Sequence, residues 1–220
     1  MNGTRTSEPS RRRARLRQWS LVAGSLVVAV GLAAWALIGT GSTAAGHRAA
    51  PIAAHLGRSR SATDAPVAPN GTYTTAAGTT AAIASLRGTP TMVWFVAGGC
   101  ASCAASIPAV ASHLDELTRG GLRVLTLGLY GAFSPGRAGA AQLLAFAKAA
   151  AGAPVKRPGW SWGMASKALS LAYDPAGVPD TYVLVGPGGH IRYRNSVPDS
   201  TMHQLLAASA RLVTVGTSHA

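Results

Sequence analysis

The chain has 220 residues, 48% of them hydrophobic and 12% charged, with 20 Lys and Arg against 7 Asp and Glu, a formal charge of +13 and two cysteines. That apolar fraction excludes wholesale disorder, and two cysteines exclude a disulfide-rich scaffold and a four-cysteine zinc site. A basic balance supports nucleic-acid binding only where the charge gathers on one face or motif, so its position along the chain decides what it means.

Residues 1–19 form a basic tail, with Arg5, Arg11, Arg12, Arg13, Arg15 and Arg17 opposed only by Glu8. In 20–40, positions 20–38 are nineteen residues without a charge, with Trp19 and Trp35 near the two ends. About 20 apolar residues span a hydrocarbon core. Indoles favour the membrane interface, and a basic flank stays in the cytoplasm. The segment is expected to be a single-pass transmembrane signal anchor, with the cell membrane as location and the lipid bilayer as partner. A secretory signal cleaved near Ser42-Thr43-Ala44 is the alternative. Either one delivers the rest of the chain to the extracytoplasmic side. The other 14 basic residues are scattered over 48–211 against six acids. Without a dense run they predict a solvated basic surface, and no nucleic acid is expected.

Residues 41–69 are rich in Gly, Ala and Ser and punctuated by Pro51, Pro66 and Pro69, as a flexible linker would be. Such a linker reaches roughly 30 Å root-mean-square. His47 and His55 within it have no ligand spacing. A globular domain is expected over 70–215, with a short tail at 216–220. Its elements in order are strands at 72–75 and 79–83 around Gly78 and a buried strand at 91–96. A helix at 101–117 and a second buried strand at 122–129 follow. Helices at 138–151 and 164–173, strands at 181–185 and 190–194 around the Gly186–Gly189 turn, and a last helix at 201–212 complete the domain. Strands and helices in alternation, then a hairpin and a helix, predict an α/β fold: a mixed sheet flanked by helices. Trp160 and Trp162 lie in an unusual stretch, where they either pack the fold or line a partner groove.

Both cysteines fall in one motif, Cys100-Ala101-Ser102-Cys103, which follows a buried strand and opens a helix. A helix N-terminus has unsatisfied N–H groups and favours an anion. The thiolate of Cys100 would be that anion and the nucleophile. Cys103, one turn on, could resolve the mixed disulfide formed at Cys100. As a purely structural disulfide the pair would close too short a loop to stabilise the fold much. Zinc would need two more ligands at suitable spacing. Copper held by the Cys pair and one His is not excluded by ligand type alone, and His113 is ten residues into the helix.

Taken with their surroundings, these residues resemble the thioredoxin superfamily, and within it the membrane-anchored TlpA/ResA-like branch. The resemblance covers roughly residues 70–212. It rests on Gly78, on Ser85-Leu86-Arg87-Gly88, on the run Val93 to Ala97 into the Cys pair, and on Pro108. It continues through Tyr173, Gly177-Val178-Pro179, the 181–185 strand, Gly188-Gly189 and Ile191. The resemblance implies that the Val178–Pro179 bond is cis and faces the Cys pair. It also implies that Val178, with Gly177 beside it, offers backbone hydrogen bonds to an extended substrate. It further implies a redox-active Cys100–Cys103 disulfide with no other cofactor and no metal.

This sequence departs from the family pattern at Gly99, where Trp is common, and at Ala101 and Ser102, where Pro is common. Many members carry a buried acid near the second cysteine; Trp94 and Ser106 stand at the two usual places. Deprotonation of Cys103 is therefore expected to fall to water, to Ser106 or to another group. The reading that follows is an extracytoplasmic, membrane-tethered thiol-disulfide oxidoreductase. It would reduce envelope protein disulfides, as in cytochrome c maturation, and be recharged by a membrane electron donor. A disulfide-donating oxidase and a copper-binding assembly factor are the alternatives. The loop at 173–180 has no His for copper, and Ala97 stands where a peroxidase would have Thr.

Overall fold

The computed structural model describes residues 65–152 and 155–217, with side chains through Leu212. The basic tail, the expected anchor and most of the expected linker lie outside the described residues. Among those described, no helix is long and apolar enough to cross a membrane.

Seven strands form one mixed sheet: β1 (Thr72–Thr75), β2 (Thr80–Ala82), β3 (Thr91–Val96), β4 (Arg123–Gly128), β5 (Trp160–Ala165), β6 (Thr181–Val185) and β7 (Ile191–Ser196). Their order across the sheet is β2-β1-β5-β4-β3-β6-β7. Strands β3, β4 and β5 run parallel, while β6 and β1 flank them antiparallel. The helices are α1 (Ala101–Ser112), α2 (Leu114–Thr118), α3 (Gly136–Ala151), α4 (Lys167–Tyr173) and α5 (Pro198–Thr217).

Every residue of β3 is buried, because both faces of the sheet are covered. Met92, Trp94 and Val96 pack with Ile107 of α1, Leu143 of α3 and Leu205 of α5. Val93 and Phe95 point the other way, into a layer with Leu169 and Tyr173 of α4 and Ala68 of the entering chain. Phe95 and Tyr173 meet ring to ring at 5.2 Å.

Several expectations change. The helix expected at 101–117 is two helices, broken at His113 (φ −102°, ψ 7°). There Ser112 Oγ and His113 Nδ1 both hydrogen-bond the Ala109 carbonyl, at 2.8 and 3.0 Å, competing with the backbone ladder. The helix expected at 164–173 starts only at Lys167, with Ser166 capping Leu169 N–H at 3.2 Å. Met164 and Ala165 instead finish β5, whose Trp160 and Trp162 stack at 4.7 Å and are each 4% exposed. Their indole N–H groups bond Thr126 Oγ1 and the Val155 carbonyl. They pack the fold, so the partner-groove reading fails. The linker boundary at 69 also moves. Ala65 and Ala68 are buried, and Val67 bridges His190. At the other end, the backbone of α5 runs to Thr217, past the expected limit at 215.

Candidate active site

The site stands at the C-terminal end of β3. The chain leaves Val96, turns through Gly98 and Gly99, and enters α1 at Cys100. Gly99 has φ +73°, where a side chain would be strained. A Cβ on Gly98 would stand 3.2 Å from the Ala132 carbonyl and 3.3 Å from the Phe133 ring, so that loop lies directly against the motif.

Cys100 and Cys103 form a disulfide with their Cα atoms 5.3 Å apart. Cys100 is the N-cap of α1, and its sulfur accepts the Cys103 N–H at 3.1 Å. The helix start is therefore capped by sulfur, in the position where an oxygen of Ser or Asp ordinarily serves. Ser102 Oγ lies 3.3 Å from Cys100 Sγ, while Ala101 is exposed. Cys100 is half-buried and Cys103 fully buried, so an incoming sulfur can reach only the first of them.

Sequence reading missed the carboxylate behind this pair. Asp180 is fully buried. Its Oδ1 accepts from Trp94 Nε1 at 2.8 Å and its Oδ2 from Ser106 Oγ at 3.0 Å. The two residues at the usual acid positions are thus donors to an acid that arrives from the opposite strand. Its backbone is fixed as well: its N–H bonds the Phe95 carbonyl and its own carbonyl accepts Val197 N–H, both at 2.8 Å. Burial pushes the Asp180 carboxyl above its ordinary value; the bonds from Trp94, Ser106 and Ser102 oppose that, and Asp199 adds to it. Ser102 thus stands beside the Cys100 sulfur and lowers the Asp180 carboxyl as well.

The segment Gly177-Val178-Pro179 reaches the same end, because Asp180 N–H is bonded to the Phe95 carbonyl near the end of β3. The described chain contains no cis peptide bond, so the expected cis Val178–Pro179 link is trans. The reversal is made instead by left-handed backbone on both sides, at Gly177 (φ +64°) and Asp180 (φ +72°). Val178 N–H is taken by Asp174 Oδ1 at 2.9 Å, and its carbonyl accepts Thr181 Oγ1 at 3.1 Å. In this conformation the N–H expected to pair with substrate is already paired. The Val178 side chain is 56% exposed. Among the described residues no group of three His, Cys, Asp or Glu side chains converges to hold a metal ion.

No family model and no curated protein matches the chain. Solved structures do. A candidate protein disulfide isomerase from Bacteroides thetaiotaomicron is 22% identical, covering 70% of this chain and 92% of its own, with TM-score 0.55. The thioredoxin domain of a thiol-disulfide oxidoreductase from Bacteroides vulgatus is 18% identical, covering 68% and 96%, with TM-score 0.52. A yeast mitochondrial 1-Cys peroxiredoxin is 16% identical, covering 72% and 78%, also with TM-score 0.52. The fold is thioredoxin-like. Since it serves both kinds of thiol chemistry, the activity has to be argued from the site.

Proposed function

We propose that the protein is a membrane-tethered, extracytoplasmic thiol-disulfide oxidoreductase that reduces disulfides of envelope proteins, as in cytochrome c maturation. The observation that carries the reading is the Cys100 sulfur at the N-cap of α1, accepting the Cys103 N–H, with Cys103 buried behind it. After reduction, a Cys100 thiolate would keep that N–H, the Ser102 hydroxyl and the field of the helix N-terminus. It attacks one sulfur of the substrate disulfide: the substrate S–S bond breaks, and a mixed disulfide and a substrate thiolate form. Cys103 then gives up its proton and attacks the Cys100 sulfur. The Cys100–Cys103 bond forms, and the second substrate thiolate leaves. Two electrons pass to the substrate, and a membrane electron donor restores the dithiol.

In this reading Asp180 takes the Cys103 proton. Ser106, one helical turn beyond Cys103, hydrogen-bonds its carboxylate, and burial makes that carboxylate a stronger base than an exposed one. The exposed Val178 and the exposed Tyr130, on the loop that leaves β4, give the Cys end an apolar rim suited to a polypeptide substrate. The redox-active disulfide is the only cofactor this chemistry needs.

Equilibration of the purified chain with thiol–disulfide buffers tests the direction of electron flow. A reduction potential near about −270 mV, the thioredoxin value, fits a reductant; one near about −120 mV would turn the reading to a disulfide-donating oxidase.

A further inference from the structure

The end of the sheet opposite the Cys pair gathers positive charge. Strands β3, β4 and β5 begin there and β6 ends there. Arg87 precedes Gly88, whose N–H bonds the Pro187 carbonyl, and its Nε comes within 3.1 Å of a Cβ placed on Gly189. Arg192 covers the same β6–β7 turn, its Nε 3.4 Å from a Cβ placed on Gly186. Arg119 lies between α2 and β4, Arg123 opens β4 with its N–H on the Pro90 carbonyl, and Lys156 precedes β5. Arg192 is half-buried; the other four are exposed. The described acids at this end are both on α2: Asp115, paired with Arg157 at 2.6 Å, and Glu116. Asp174, Asp180 and Asp199 belong to the Cys end, where Asp199 N–H bonds Ser106. The six-residue β3 separates the two poles by about 20 Å.

The N-terminal chain joins the domain at this same pole. The Ala65 carbonyl meets His190 Nδ1 at 2.8 Å, and Ala68 N–H bonds the Gly189 carbonyl at 2.8 Å.

We propose that this basic pole docks on an anionic bilayer surface and holds the Cys pair turned away from the lipid. The proposal rests on the reading of residues 20–40 as a membrane anchor. Lys and Arg side chains are attracted to anionic headgroups within a Debye length of the surface. A tether entering at the pole keeps that face at high effective concentration near the bilayer. The cations stand on separate loops and strand ends spread across the end of the sheet, a footprint that suits a field of headgroups better than a nucleic-acid groove.

The test uses the full chain in vesicles of phosphatidylcholine alone and of phosphatidylcholine with phosphatidylglycerol, read by amide hydrogen exchange. Docking of about nine molecules in ten slows exchange about tenfold in loops 86–90, 119–122 and 186–190. That slowing should occur on the anionic vesicles only and vanish at high salt. It should also vanish in the triple variant Arg87→Gln, Arg119→Gln, Arg123→Gln and survive Lys167→Gln at the other pole. Equal exchange on both lipids, shielding at 129–135 instead, or equal shielding by duplex DNA at matched charge would overturn the proposal. Resistance to alkaline extraction from the neutral vesicles reports the anchor separately. A chain that is extracted, yet shielded by anionic vesicles, loses the anchor and keeps the docking.

Discussion

At the scale of single residues, Asp180 is the buried carboxylate behind the Cys pair. It binds its proton more tightly when folded than when unfolded, because burial raises its carboxyl above the ordinary range. Its neutral form is the one that folding favours. Its contribution to stability is complete below the unfolded carboxylate pKa and is lost as pH rises through the raised folded value. Asp180→Asn, uncharged throughout, should flatten the pH dependence of thermal stability across that interval, measured by calorimetry on the oxidised protein. The same variant should slow the resolving step by about 10²-fold or more, the ordinary contribution of a positioned acid–base group. Rapid quench of the mixed disulfide would show this, with attack by Cys100 much less affected. Unchanged resolution would remove Asp180 from the proton path. The sequence does not mark it, because the two positions where an acid usually stands hold Trp94 and Ser106. A signal was available: Trp94 and Ser106 at those positions are both donors, and buried donors require an acceptor. Asp180, directly after Pro179 and before an apolar strand, was the unassigned carboxylate nearest to hand.

At the scale of elements, β3, the CxxC turn and the start of α1 were legible because three signals coincide: a fully apolar run, two glycines and a cysteine pair. The Trp160–Ala165 segment was not. Its Met164 and Ala165 suit a helix by propensity, and pairing with β4 and β1 overrides that preference. The tryptophans are the test of this assignment. Trp162 is buried under α3 and bonded to the Val155 carbonyl. Trp162→Ala should cost about 3–5 kcal/mol in denaturant unfolding, the range for emptying a large aromatic site. A loss below about 0.5 kcal/mol, typical of surface sites, would mean that the ring is not in the core. The proline turn was legible in place but not in conformation. Its sequence locates the turn, while φ values at Gly177 and Asp180 depend on the Asp174 and Phe95 contacts that a sequence does not show.

At the scale of the whole molecule, the basic residues of the described domain are scattered along the sequence but not in space. Residues as distant as Arg87, Arg123 and Arg192 meet at one end only because β3 and β4 start there and β6 turns there. The two cysteines define the other end, and the chemistry assigned to them is the central claim. Its most direct measurement is trapping with single-cysteine variants and a disulfide-bonded substrate. Reduced Cys103→Ser should accumulate a stable mixed disulfide through Cys100, and Cys100→Ser should form almost none. Equal trapping by both variants, or by neither, would contradict the account.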